Sequence, residues 1–382
     1  MALPVPLWRA AALGALAALL AGCGPTSKLL RQELERGAPG TYVAGVPFVR
    51  QVRDGCGPAA LASLAQYHGL ELTQEQIARE VFLPSISATL TIDLQRCAQR
   101  YGLWCHSGRG TPGEVRTWLD RGVPVVALLR LGPWAGRQFH YVVVTGYHAG
   151  RRCFIAHTGY LSNRPISYER FVRELADGGG WLLAACPPER VSWPLSADGH
   201  NDLGLLFERQ GKLPRARAEY EKAIAAEPGK PVFHFNLGNA LARLGQPAEA
   251  ERAYREAIRL RPAFADAHNN LANLLLDLGR RHEACREARR AVEIDGPRAA
   301  YYFDTLGRVL ASLESYPAAA SAFRRALDEA GKDAEMAAGA RLGLIEALLG
   351  AGDRGQAIAE KDRLLASTSD PALRRRADQL LK

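Results

Sequence analysis

From Ala197 onward the chain repeats itself every 34 residues, and this periodicity constrains its fold more than any other feature. Leu203-Gly204, Gly211, Ala216, Tyr220, Ala223 and Pro228 return as Leu237-Gly238, Gly245, Ala250, Tyr254, Ala257 and Pro262. A third copy keeps Leu271, Gly279, Ala284 and Ala291. A fourth, slipped by one residue, keeps Leu306-Gly307, Ala319, Phe323 and Ala326. Small residues such as Gly204 and Ala216 let paired helices approach, Gly211 and Gly245 turn the chain between them, and Pro228 and Pro262 stop the second helix. Each pair leaves an apolar face that only a neighbour can cover, so the copies must stack. Ala337 to Ser367 reads as a degenerate further pair, and 370–382 as a polar capping helix.

These residues resemble the tetratricopeptide repeat. The resemblance implies an all-α solenoid over 197–382 whose concave groove binds a peptide or protein. Aligning the copies puts Asn201, Asn239, Arg243, Asn269, Asn273 and Arg308 on the inner face of the first helices, where amides and guanidinium groups suit a peptide backbone or a carboxylate. Asn239, Arg243, Asn273 and Arg308 are the expected peptide contacts. Asn236 and Asn270, like His200, His234 and His268, recur at the same period and read as inter-helix packing, so the histidine column is no metal site.

A length of 382 residues leaves room for a second domain before the repeats. Residues 41–190 mix periods. Val125–Leu129, Tyr141–Tyr147 and Trp181–Ala185 are strand-like, while Cys56–Tyr67, Thr73–Val81, Leu90–Arg100 and Ser167–Leu175 follow helical spacing, with Thr73 and Gln76 set for a capping box. Helices come first and strands mostly later, which predicts α+β with an antiparallel sheet. Pro187–Ser196, with three prolines, reads as a linker.

The first 22 residues read as a signal peptide: Arg9 flanks the apolar run Ala10–Leu20, which is too short to span a bilayer. Leu20-Ala21-Gly22-Cys23 resembles the bacterial lipobox, which implies that Cys23 is acylated, that 23–40 is a lipidated tether, and that Gly24 directs sorting to the outer membrane. The expected location is the cell envelope, facing the periplasm. The formal charge of +9 does not mark a nucleic-acid partner, because residues 193–382 interleave 29 basic with 27 acidic groups and form no basic stripe.

Six cysteines remain after Cys23. Cys97 with Cys105 and Cys153 with Cys186 are weighed for bridges, against buried thiols for Cys153, Cys186 and Cys285. No pair has zinc spacing with histidines and no phosphate-binding glycine loop exists, so neither metal nor cofactor is expected. Cys56 differs. It opens Cys56-Gly57-Pro58-Ala59-Ala60-Leu61, and a thiol at a helix N-terminus is favoured as thiolate by the helix dipole. His140, at the head of the strand HYVVVTGY, is the candidate base. Gln51, five residues before Cys56, is placed to join the Cys56 backbone N–H as an oxyanion donor.

Gln51, DGCGPAAL and HYVVVTGY together resemble the bacteriocin-processing, double-glycine leader peptidases, a family of papain-fold cysteine peptidases. The resemblance implies a papain-like domain over 41–190, with Cys56 as nucleophile, His140 as general base and Gln51 in the oxyanion hole. Where that family has Asp-Pro to orient the histidine, this chain reads Ile155-Ala156-His157-Thr158-Gly159. His157 is then either the orienter or a strand-end residue without a role, with Asn163 a further candidate. The expected function is a lipid-anchored cysteine peptidase acting on a peptide or protein substrate, with the repeats recruiting that substrate or a protein partner. A non-catalytic, peptide-binding assembly lipoprotein is the alternative.

Overall fold

The computed structural model describes residues 27–85, 88–131, 138–294, 296–368 and 370–381. The signal segment and Cys23 lie outside the described residues. The chain divides into two compact units whose boundary falls between Trp193 and Pro194.

The first unit runs α1 (Ser27–Glu35), β1 (Gly40–Tyr42), α2 (Cys56–Tyr67), α3 (Gln74–Val81), β2 (Phe82–Leu83), β3 (Ala88–Thr89) and α4 (Thr91–Arg100). It continues through β4 (Trp104–Arg109), α5 (Pro112–Asp120), β5 (Val125–Leu131), β6 (Gln138–His148), β7 (Cys153–His157), β8 (Arg164–Ser167), α6 (Tyr168–Asp177) and β9 (Trp181–Cys186). The main sheet has the order β4-β9-β5-β6-β7-β8, all antiparallel, with β1 beside the C-terminal half of β6. This is the expected α+β arrangement. Strand alternation builds two faces. Val126, Val143 and Leu183 meet Leu61, Leu64, Ile77 and Leu94 of α2 to α4, while Phe154 turns the other way onto Phe171 of α6, with ring centroids 4.2 Å apart.

The Thr73–Gln76 capping box forms at the start of α3. A second box, Thr111 with Glu114, starts α5, which periodicity alone does not reveal because its apolar stripe is only Val115, Trp118 and Leu119. Every residue of β7 is buried, so it lacks the alternation that marks a half-exposed strand.

Two expectations about connecting segments are corrected. Residues 23–40 are not simply a polar tether. Ser27–Glu35 is an amphipathic helix whose Leu30 is fully buried with Cys153 and Ile155, and Glu33 lies 3.1 Å from Nε2 of His148 and pairs with Arg151 at 2.7 Å. Nor is the stretch after Pro187 free of packing: Trp193 lies 5.9 Å from Trp104 and 5.3 Å from Trp118, ring to ring, with the Arg121 guanidinium 5.0 Å from its centroid. The first unit therefore extends past residue 190. The six described cysteines are all free thiols, so neither weighed bridge forms.

The second unit is a run of helices: α7 (Ala197–Arg209), α8 (Leu213–Ala226), α9 (Pro231–Arg243), α10 (Pro247–Leu260), α11 (Ala265–Asp277), α12 (Arg281–Ile294), α13 (Ala299–Ser312), α14 (Tyr316–Glu329), α15 (Ala334–Gly350), α16 (Arg354–Ser367) and α17 (Pro371–Leu380). Each expected helix pair is present. The repeated glycine on the first helix of a pair has one cause: a Cβ at Gly204 would lie 2.5 Å from the Tyr220 ring, and one at Gly238 2.6 Å from Tyr254. In the third copy both positions change together, to Ala272 and Ala288, so a small residue still faces what fills the gap.

Candidate active site

Cys56 is the first residue of α2, where Gly55 precedes it and Pro58 sits in the first turn without needing an N–H partner. Burial raises the thiol above its ordinary pKa, and the Asp54 charge adds to this. The backbone N–H groups of Tyr141, Gly57 and Cys56 itself act in the opposite sense. These N–H groups favour the thiolate, but burial outweighs them.

His140 lies on β6 opposite Leu129 of β5. Burial lowers its pKa, and a backbone hydrogen bond to the Thr158 carbonyl partly offsets that by favouring the cation. Cys56 and His140 line one cleft of about 590 Å³, together with Gln51, Asp54, Tyr141 and Tyr160. Thiol and imidazole share this wall without a direct hydrogen bond, an arrangement that tightens on substrate binding in many enzymes of this chemistry. Burial thus favours the neutral form of both groups.

Gln51 joins the site through the turn after β7. Its N–H donates to the Gly159 carbonyl at 3.0 Å, and its Oε1 is buried beside Gly159 with no hydrogen-bond partner among the described residues. The NH2 end is therefore the one left for the cleft. Gln74 brackets this loop from behind, accepting from the Val52 N–H at 3.2 Å and donating to the Arg50 carbonyl at 3.0 Å. Gly159 itself has φ +78°, and a Cβ there would overlap Gln51 and lie 2.7 Å from Nε2 of His140. Glycine is thus required twice over, by backbone conformation and by the approach of two site residues.

His157 is not brought to His140. Its Nε2 lies 3.2 Å from the Val46 carbonyl, and its Nδ1 accepts the Asn163 N–H at 3.1 Å. Both ring nitrogens are committed to backbone, and burial lowers the pKa. The ring is a neutral cross-brace between the segment before α2 and the turn after β7. Asn163, the other candidate, accepts from Tyr42 and Thr145 instead. The group that does meet His140 is the Thr158 carbonyl, which residue types cannot advertise because any residue could supply it. The Thr158-Gly159 pair was visible in the sequence, but its positive φ was not.

Along the repeats, the expected contact residues are bonded within the helix stack. Asn239 accepts from Tyr254 and Asn270, both at 2.8 Å. Arg243 pairs with Glu208 at 2.8 Å, and Asn273 bonds to Thr305 at 3.2 Å and to Arg308 at 3.0 Å. Asn239 and Arg243 also line a concavity of about 340 Å³. The packing columns behave as expected: Asn236 bonds to Asn201 of the preceding repeat, and His200 and His268 meet Glu219 and Glu287 at 2.7 Å. No cluster able to hold a metal occurs among the described residues.

Residues 43–172 match the Peptidase_C39 like family, and residues 204–245, 231–264, 265–297 and 305–372 match tetratricopeptide repeat models. Similar solved structures include PilF of Pseudomonas aeruginosa, 22% identical over 48% of this chain and 80% of that one with a TM-score of 0.43. YrrB, described as a TPR protein with an unusual peptide-binding site, is 21% identical over 48% and 92%, with a TM-score of 0.40. MamA of Desulfovibrio magneticus is 19% identical over 45% and 94%, again with a TM-score of 0.40. No curated protein matches the chain.

Proposed function

Taking a Peptidase_C39-like domain followed by tetratricopeptide repeats as the premise, we propose that this chain is a lipid-anchored cysteine peptidase of the bacterial envelope, with repeats that recruit its protein or peptide substrate or a partner. One observation carries the reading: Gln51 and Cys56, five residues apart, line a single open cleft with His140, which lies more than 80 residues further along the chain. In the proposed reaction a ring nitrogen of His140 takes the Cys56 proton as the sulfur attacks the scissile carbonyl carbon. The resulting oxyanion accepts from the Gln51 NH2 and the Cys56 N–H. The imidazolium then returns its proton to the leaving amine, and water releases the acyl group by the reverse sequence. The Thr158 carbonyl holds the ring orientation that a carboxylate supplies in a full triad, without supplying its charge.

Leu90, Phe139 and Tyr160, large and exposed at the cleft, offer an extended substrate apolar surface. The envelope location follows from the lipobox-like run ending at Cys23. A second reading, a peptide-binding assembly lipoprotein without catalysis, draws on the lack of a carboxylate against His140 among the described residues and on the thiol's raised pKa. Labelling the purified chain with a cysteine-directed peptidase probe, beside Cys56→Ala, separates the two. Selective labelling of Cys56 supports the peptidase, and equal labelling of both proteins supports the second reading. Activity should rise from acid pH as His140 loses its proton, with a midpoint below the usual histidine value of about 6.5, because burial lowers it.

A further inference from the structure

We propose that the concavity behind His140 is a second subsite that seats a carboxylate of the substrate on Arg164. The inference rests on the peptidase reading only for where the scissile bond lies. The concavity holds about 330 Å³ and is lined by Leu131, His140, Tyr160, Leu161, Arg164 and Arg170. His140 and Tyr160 also line the Cys56 cleft, so a chain lying across the cleft reaches this space within a residue or two of the reacting carbonyl.

Charge decides what it accepts. Arginines nearby are already paired: Arg151 with Glu33 at 2.7 Å, Arg152 with Glu169 at 2.6 Å, and Arg170 with Glu174 at 2.8 Å. Among the described residues, Arg164 has no such carboxylate, and it stands exposed at the start of β8 facing the concavity. The cavity is thus apolar on the Leu131 and Leu161 sides and carries one uncompensated positive charge. A planar guanidinium with free donors matches a carboxylate in a forked pair, and the same charge repels an ammonium. The carboxylate has two sources, an Asp or Glu side chain or the free end of a peptide.

The test uses the full chain and fluorogenic octapeptides in matched Asp/Asn and Glu/Gln pairs scanned across every position, plus pairs with a free or amidated C-terminus. Wild type should cleave the acid form about tenfold better than its amide at one position near the scissile bond. Arg164→Ala should bring that ratio close to one, and Arg164→Glu should invert it in favour of the amide at the same position. A preference confined to internal positions assigns the carboxylate to a side chain, and one confined to the terminal pair assigns it to the chain end. Equal cleavage of acid and amide by wild type, or a preference that survives in Arg164→Ala, overturns the subsite. Binding of the same peptides to Cys56→Ala, read by fluorescence anisotropy, keeps the two proposals apart. Acid-selective, Arg164-dependent binding without any cleavage by wild type rejects the peptidase and keeps the subsite. Cleavage without acid preference does the reverse, and neither binding nor cleavage rejects both.

Discussion

The cleft and the repeats treat their polar side chains in opposite ways. Around Cys56 the informative groups are left with unfilled bonding capacity: among the described residues Gln51 Oε1 has no hydrogen-bond partner, and the thiol and imidazole are not joined to each other. Along the repeats most of the groups that look like ligands already have partners, as in Asn239 with Tyr254 and Asn270, or Arg243 with Glu208, with Asn269 Oδ1 an exception among the described residues. A buried polar group without a partner costs about 1–3 kcal/mol, and here that cost falls on Gln51 Oε1 while the NH2 of the same carboxamide is left to donate to a substrate oxygen. A polar column that completes itself is chiefly a clasp between helices. The contrast teaches that residue type marks a candidate, and that its partners decide what the candidate does.

The sharpest break of this comparison is removal of the nucleophile or base. Cys56→Ala and His140→Ala should each lower peptide cleavage by about a thousandfold or more while circular dichroism and melting stay near wild type. Retained cleavage in either variant would take the unpaired groups out of the chemistry. Gln51→Ala should lower kcat by roughly tenfold to a thousandfold with KM little changed, the cost of one oxyanion donor; a change confined to KM makes Gln51 a binding residue. Gly159→Ala should lower kcat by about a hundredfold, because its Cβ must displace Gln51 or His140. Wild-type turnover in that variant would show that their close approach is dispensable.

Smaller effects separate braces from ligands. His157→Ala should cost about 1–3 kcal/mol in urea unfolding, since it strands the Val46 carbonyl and the Asn163 N–H, and it should reduce kcat less than His140→Ala does. His157→Asp should not raise activity, because the position does not face His140. In the repeats, Asn239→Ala should lower stability by about 1 kcal/mol through its lost bonds to Tyr254 and Asn270. Were Asn239→Ala to weaken peptide binding with no loss of stability, the clasp description would fail and the groove would resemble the cleft after all.

Much of this was legible in the sequence. The 34-residue period determines the helix pairs of the second unit, because a spacing that returns the same small and large residues to the same face leaves only stacking as a way to bury them. The Cys56 helix start, the His140 strand head and the α+β order follow from equally local causes: glycines that permit a turn, a proline that fits a first helical turn, β-branched runs that prefer extended chain. The tertiary structure alone decided which groups meet. It set His140 beside the Thr158 carbonyl, tied His157 to Val46 and Asn163, made Ser27–Glu35 a docked helix, pinned Trp193 to the first unit, and joined Gln51 to Gly159 across 108 positions of chain. The physical reason is that local propensity acts over a few residues, whereas a hydrogen bond to a carbonyl or a contact at a glycine depends on backbone brought together by the whole sheet, and side-chain identity carries no record of it.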